Sequence, residues 1–166
     1  MGRPKAGVIL QGLPLYQRGW QALSQVCQQV VILGHGHGIP ENLPRLDDLR
    51  PQVGPLGGLE ALLHSGLGSH YLLLPCDMPA ITPDLLQDLI LPTFPLTSYD
   101  RPGGPLPLFA NAELAPTLSQ WLDGGGRSVW AFLESYRAHH IPCPKSLYPA
   151  LQDIDNPQDL SQWEHR

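Results

Sequence analysis

Charge is scarce in this chain of 166 residues: Lys, Arg, Asp and Glu together make up 15% of it. The formal net charge is −5, which argues against a nucleic-acid-binding face, because such faces carry a basic patch. It leaves room for an anionic substrate masked by a metal, since one local cation overrides the global sign. Cysteine is scarce too. Cys27, Cys76 and Cys143 are the three present, and an odd count at wide spacing fits neither a disulfide framework nor a zinc motif. They read as reduced cytosolic thiols. No apolar run approaches the ~20 residues needed to span a bilayer. Behind Arg3 and Lys5, the run Gly7-Val8-Ile9-Leu10 is too short for a secretory signal. These absences predict a cytoplasmic protein. Glycine and proline are plentiful instead, at 17 and 19 residues, beside 42% hydrophobic residues. That combination describes a loop-rich globular chain and not a disordered one. Its length suits one domain with a sizeable core.

Periodicity supplies the elements. Tyr16, Trp20, Leu23, Cys27 and Val30 recur at helical spacing, so a helix is predicted from Leu15 to Gln28. Val30 to Leu33 reads as a buried strand that stops at a run of glycines and histidines. Residues 39–56 are Pro-rich without periodicity and read as an extended loop. Leu59, Leu62 and Leu63 mark a short helix, and Tyr71-Leu72-Leu73-Leu74 a second buried strand. Strand, crossover and strand in this order predict a parallel βαβ unit. Thr82, Pro83 and Asp84 carry helix-start chemistry, as cap, first helical residue and dipole-matched acid. Strand signals near Leu96–Tyr99 and Leu106–Ala110 follow. Helices are predicted over Ala112–Leu122, around Val129–Tyr136, and from Asn156-Pro157 with Asp159 as a capping-box acid. The alternation predicts an α/β protein with a three-layer sheet.

The most informative segment is Leu74-Pro75-Cys76-Asp77-Met78-Pro79. A Pro ends the apolar strand, which puts Asp77 just past the strand's carboxyl end, where ligands bind in open α/β sheets. A carboxylate there holds a metal ion, and the metal holds phosphates. The alternative is a turn aspartate bonded to local backbone N–H groups. Gly54, Gly57 and Gly58 permit close backbone approach to a ligand, or a tight turn before a helix. His35 with His37, and His139-His140 with Cys143, lack further nearby ligands and read as ordinary loop residues. Arg101 and Arg127 read as surface arginines, with contact to ligand phosphates as the alternative.

Six landmarks in order resemble one family. Met1-Gly2-Arg3-Pro4-Lys5-Ala6 is similar to the tail of its nucleotide-binding signature. Gly54-Pro55-Leu56-Gly57-Gly58-Leu59 is similar to its Gly-Pro-Leu-x-Gly-Leu segment, and Leu74 to Pro79 to its metal-binding segment. Pro107-Leu108-Phe109-Ala110, Gly126-Arg127-Ser128 and Asp153 to Leu160 match the remaining three. The chain thus resembles the molybdenum cofactor guanylyltransferases of the MobA type, within the nucleotidyltransferases that share a Rossmann-like sheet. The resemblance implies a single nucleotidyltransferase-like domain over residues 1–166, with a mostly parallel sheet. It implies transfer of GMP from GTP to the phosphate of the molybdopterin cofactor, with release of pyrophosphate and with Mg2+ as cofactor. Asp77 would be the metal ligand and Lys5 the group that reaches the nucleotide phosphates, unless Lys5 is only a solvated terminal lysine. Asp48, preferred over Asp47, would contact GTP. Asp155 would be a second site acid, unless it only supports the cap at Asn156. GTP, molybdopterin and other proteins of the molybdenum cofactor pathway are the partners implied; nucleic acid and membrane are not. A cytidylyl or sugar-phosphate nucleotidyltransferase, or a non-catalytic remnant, are the alternatives.

In one place the chain departs from the pattern. The family places an apolar strand and a glycine-rich phosphate loop before the methionine matched by Met1. Gly7 to Gly12 is not their replacement, because that alignment would break the gapless match from Lys5 through Val31. A start codon called too far downstream, or gene decay, would account for the gap. A buried central strand contributes roughly 10 kcal/mol of apolar burial against a whole-domain stability of about 5–15 kcal/mol. The sequence as given is therefore expected to be marginal. It is also expected to turn over at least ~1000-fold more slowly than a form with the loop.

Overall fold

The computed structural model describes residues 4–91 and 93–164. Met1, Gly2 and Arg3, the first half of the amino-terminal motif, lie outside the described residues. A 3-10 turn, Lys5–Gly7, leads to a hairpin of β1 (Ile9–Leu10) and β2 (Leu13–Pro14). Gln11 and Gly12 at its tip both have positive φ, 49° and 82°, the conformation a two-residue turn needs to match strand twist. Ile9 is 55% exposed. As expected, this segment does not enter the main sheet. Helix α1 (Leu15–Ser24), β3 (Ile32–Leu33), β4 (Arg45–Leu46) and α2 (Pro55–His64) follow. Next come β5 (His70–Leu73), α3 (Pro83–Asp88), β6 (Leu96–Asp100) and β7 (Leu108–Asn111). The chain ends with α4 (Ala115–Asp123), α5 (Val129–Tyr136), β8 (His139–Pro142) and α6 (Pro157–Glu164), and a 3-10 stretch, Lys145–Leu151, precedes α6.

The main sheet has the order β5-β7-β6-β8. β7 is antiparallel to both β5 and β6, whereas β6 and β8 are parallel. Three of the four strands therefore share a direction. The pairings in this sheet are mixed, two antiparallel and one parallel. Residues 101–107 connect β6 to β7, too short a link for the dozen-residue crossover that parallel neighbours require.

Alternation along the strands makes this sheet the middle of three layers. Tyr71, Leu73, Leu96, Leu108 and Ala110 pack with α2, α4 and α5. Leu72, Leu74, Tyr99 and Phe109 pack on the opposite face with α1 and α3. A period of 2 is what places neighbours on opposite faces. β6 is buried on both faces, so its polar groups need partners inside. Thr97 donates to the Leu89 carbonyl, Tyr99 donates to the Leu85 carbonyl at 2.7 Å, and Ser98 Oγ lies 2.9 Å from His140 Nδ1. Helix α2 is buried over its apolar length, and two glycines let it sit close. A Cβ on Gly58 would stand 3.1 Å from the Leu33 Cβ, and one on Gly57 would stand 2.5 Å from Val53 Cγ2.

Three expectations are corrected. β3 and β5 do not form a paired βαβ unit. β3 pairs in parallel with β4, a strand inside the segment expected to be loop, and β5 pairs with β7. Between β3 and β5 lies a largely apolar slot of about 1110 Å³. β8 falls on the His139-His140 segment expected to be loop, because its two histidines face neighbours: His139 stacks on Phe94 at 3.9 Å between ring centroids, and His140 meets Ser98. The capping expectations hold. Thr82 Oγ1 accepts from the Leu85 N–H at 3.4 Å, and the Asp159 carboxylate accepts from the N–H groups of Asp155 and Asn156 at 2.9 and 3.1 Å. No helix among the described residues is long and apolar enough to cross a membrane.

Phe132 is 1% exposed and packs beside Trp121 and Tyr136. Phe132→Ala is expected to cost about 3–5 kcal/mol of unfolding free energy, read from urea denaturation. Thr82→Ala is expected to cost about 1 kcal/mol.

Candidate active site

Asp77 lies four residues past the end of β5, and Pro75 intervenes. Its backbone carbonyl accepts from the Ile154 N–H at 2.9 Å, which ties this loop to the segment ahead of α6. Ile154 is fully buried, and its neighbours Asp153 and Asp155 flank it. An acid-apolar-acid alternation of period 2 thus anchors the middle residue and delivers two carboxylates beside Asp77.

Lys5 closes the cluster. Its Nζ donates to Asp77 Oδ2 at 3.2 Å and to Asp155 Oδ1 at 2.7 Å. The side chain of Asp77 is 17% exposed and that of Asp155 is 72% exposed. The hydrogen bond that Lys5 donates to Asp155, and secondarily the one it donates to Asp77, hold the Lys5 ammonium above its usual pKa against the opposing effect of burial. Lys5 is therefore not the solvated terminal lysine of the alternative reading. Asp155 supports the helix start only through its backbone N–H, which donates to the Asp159 carboxylate. Its own carboxylate goes to Lys5, while Asn156 Oδ1 accepts from the N–H groups of Gln158 and Asp159 at 2.8 and 2.9 Å.

Asp153 carries a signal the sequence reading passed over. Burial pushes its carboxyl up to about 6, Arg101 opposes this, and Asp77 and Asp155 add to it. Arg101 Nη2 is 3.9 Å away. Arg101 is not a surface residue as expected: it is 8% exposed and donates to the carbonyls of Leu106 and Pro102 at 2.6 and 3.2 Å. Burial lowers its pKa. Its Nε and Asp153 Oδ1 are both buried without a hydrogen-bond partner. Arg127 is exposed and donates to the Leu122 carbonyl near the end of α4 at 3.0 Å.

Asp48 stands elsewhere. Its carboxylate lies over Gly34 and the first turns of α2, so that a Cβ on Gly34 or Gly58 would stand 3.5 or 3.6 Å from Oδ1. Asp47 and Asp48 are both exposed. Gly54 caps α2 at φ 67°, ψ −152°, a region essentially reserved for glycine. The structure therefore brings Lys5, Asp77 and Asp155 together, adds Asp153, and sets Asp48 at the helix α2 end.

Chemically, carboxylates from two chain segments converge on one cation, which here is the Lys5 ammonium. No group of three or more metal-ligating side chains occurs among the described residues. Magnesium needs only one or two carboxylates when substrate phosphates complete its shell, and Asp77 with Asp155 matches that donor set.

The fold is an open α/β sheet, and its acidic, lysine-bearing cluster stands past the carboxyl end of a strand, the place where such sheets bind ligands. Residues 1–141 match the family model of the MobA-like NTP transferase domain, and the chain belongs to that family. It is 27% identical over 173 residues to a molybdenum cofactor guanylyltransferase of Yersinia pestis, across 99% of this chain and 88% of that protein. It is 35% identical over 94 residues to a molybdenum cofactor biosynthesis bifunctional protein of Synechocystis sp., spanning 54% of this chain but 27% of that longer protein. The fold matches the molybdopterin-guanine dinucleotide biosynthesis protein A of Archaeoglobus fulgidus with a TM-score of 0.75 at 21% identity, covering 99% of this chain and 90% of that one.

The raised Asp153 carboxyl sets a sign for pH dependence. Between its ordinary value of 3.8 and about 6, the folded chain holds a proton that the unfolded chain has released, so stability falls as pH rises through this window. Relative to Asp153→Asn, unfolding free energy is expected to decline from pH ~4 to ~6 and then level off, as read by denaturation at each pH. A flat difference would show that Asp153 titrates normally.

Proposed function

We propose that this protein transfers GMP from GTP to the terminal phosphate of the molybdopterin cofactor, releasing pyrophosphate. The observation that carries this reading is the convergence of Lys5, Asp77 and Asp155 past the end of β5, in a chain of the MobA-like NTP transferase family. In the reaction a phosphate oxygen of the acceptor attacks the α-phosphorus of GTP, and the bond from that phosphorus to the bridging oxygen of pyrophosphate breaks. Both reactants are anions, so the site must neutralise charge and hold the groups in line. Asp77 and Asp155 would hold Mg2+, which would supply neutralisation of charge on the phosphate oxygens. Lys5 exchanges its carboxylate partners for a nucleotide phosphate, for which its compact ammonium is suited. Asp48, over the glycines of α2, accepts hydrogen bonds from the nucleotide away from the reacting phosphates. The attacking phosphate is already ionised, so no general base is required. A cytoplasmic location fits this chemistry.

Asp77→Ala is expected to abolish Mg2+-dependent GTP binding and to lower pyrophosphate release at least ~1000-fold. The fold should be retained, as judged by circular dichroism. Chelation of Mg2+ should have the same effect on the unsubstituted chain. Near-native binding by Asp77→Ala would remove Asp77 as the metal ligand. Tighter binding of CTP than GTP in the same assay would overturn the guanylyl assignment while leaving the reaction class intact.

A further inference from the structure

Helices α2 and α4 pack through apolar side chains, with one polar seam between them. Glu60 and His64 of α2 stand four residues apart, as do Ser119 and Asp123 of α4, so each pair shares a helix face. Glu60 is 2% exposed, and its helix neighbours Leu56, Leu59 and Leu63 belong to the core. Ser119 donates to Glu60 Oε1 at 2.7 Å, and His64 Nε2 lies 3.0 Å from Ser119 Oγ. The charge of Glu60 is met from outside the helix pair. Arg50 Nε donates to both carboxylate oxygens of Glu60, at 3.1 and 2.9 Å, and Arg50 Nη1 donates to Asp123. The planar guanidinium serves two acceptors in fixed directions, which a lysine ammonium does not.

The two ion pairs differ in weight. Asp123 is 66% exposed, and a pair so open to water contributes little. Glu60 is buried, and a buried carboxylate that loses its partner is strongly destabilising. Glu60 is therefore what keeps Arg50 in place.

Arg50 belongs to the segment between β4 and α2, which also carries Asp48. The ends of this segment are fixed by β4 and by buried Val53, but Asp47, Asp48 and Leu49 are exposed. The segment lies against the start of α2: a Cβ on Gly57 would stand 3.4 Å from the Arg50 carbonyl oxygen and 3.7 Å from Asp48 Cγ. The Arg50 side chain ties it down to α2 and α4, and Asp48 lies two residues from that tie.

We propose that Arg50, locked by Glu60, is a positioning residue for the nucleotide site. It holds the 47–53 segment on α2 so that the Asp48 carboxylate is in place when the nucleotide arrives. The inference rests on the proposed contact of Asp48 with GTP.

The test combines Arg50→Ala with Glu60→Gln, so that no buried charge is left alone. GTP affinity in the presence of Mg2+ is measured for this pair variant, for Asp48→Ala and for the triple variant. The pair variant and Asp48→Ala are each expected to weaken GTP binding ~10-fold or more, and the triple variant to bind no more weakly than Asp48→Ala, because coupled residues do not add. In turnover the pair variant is expected to raise KM for GTP and to keep kcat, the mark of lost ground-state binding. Without nucleotide, chymotryptic cleavage after the exposed Leu49 is expected to be ~10-fold faster in the pair variant, with cleavage elsewhere unchanged. Unchanged GTP affinity, a loss that adds in full to that of Asp48→Ala, a lowered kcat at unchanged KM, or cleavage sped equally at all sites would each overturn the inference alone. Failure of the unsubstituted chain to bind GTP would overturn the nucleotide reading, and the inference with it.

Discussion

The Lys5 ammonium is shared by two carboxylates that lie 72 and 150 residues away in sequence. That shared proton donor joins the first turn of the described chain, the loop after β5 and the segment ahead of α6. Without it, Asp77 and Asp155 would repel one another at the mouth of the sheet. The backbone bond from Ile154 to the Asp77 carbonyl holds the same loops from beneath, with Ile154 fully buried as the anchor. Apolar burial thus sets the position of the site, and charge sets its content.

Two carboxylates share a single ammonium, and the half-buried carboxyl of Asp153, raised by burial, feels the charges of both. Arg101 contributes from behind. It is buried and braces the 101–107 connection through the Leu106 carbonyl, so its charge reaches Asp153 through a medium of low dielectric.

Much of this was legible in the residues. The Pro after Leu74 marked the end of the strand and put the aspartate two positions beyond it at the carboxyl end, because a proline cannot continue a buried strand. Thr82 and Asp159 announced their helix starts through local hydrogen bonding that needs no tertiary context. The spacing of Asp153, Ile154 and Asp155 carried a further signal that was readable and missed. Other features were not legible. Arg101 sits in a Pro/Gly-rich stretch, a composition that usually means surface, and only the packing of the 101–107 loop buries it. β4 and β8 gave no period to read, since β4 pairs over only two residues and β8 owes its place to Ser98 and Phe94.

By itself the sequence determined the α/β alternation, the two-faced strands and the position of the aspartate beyond β5. These follow from side-chain period and from the backbone limits of proline and glycine, which act over a few residues. Tertiary structure alone decided that β7 opposes its neighbours, that Lys5 reaches both carboxylates, and that β3 and β5 stand apart across an apolar slot. Each of these depends on groups brought together across long stretches of chain, where a connection's length and a shared buried volume, not local preference, select the outcome.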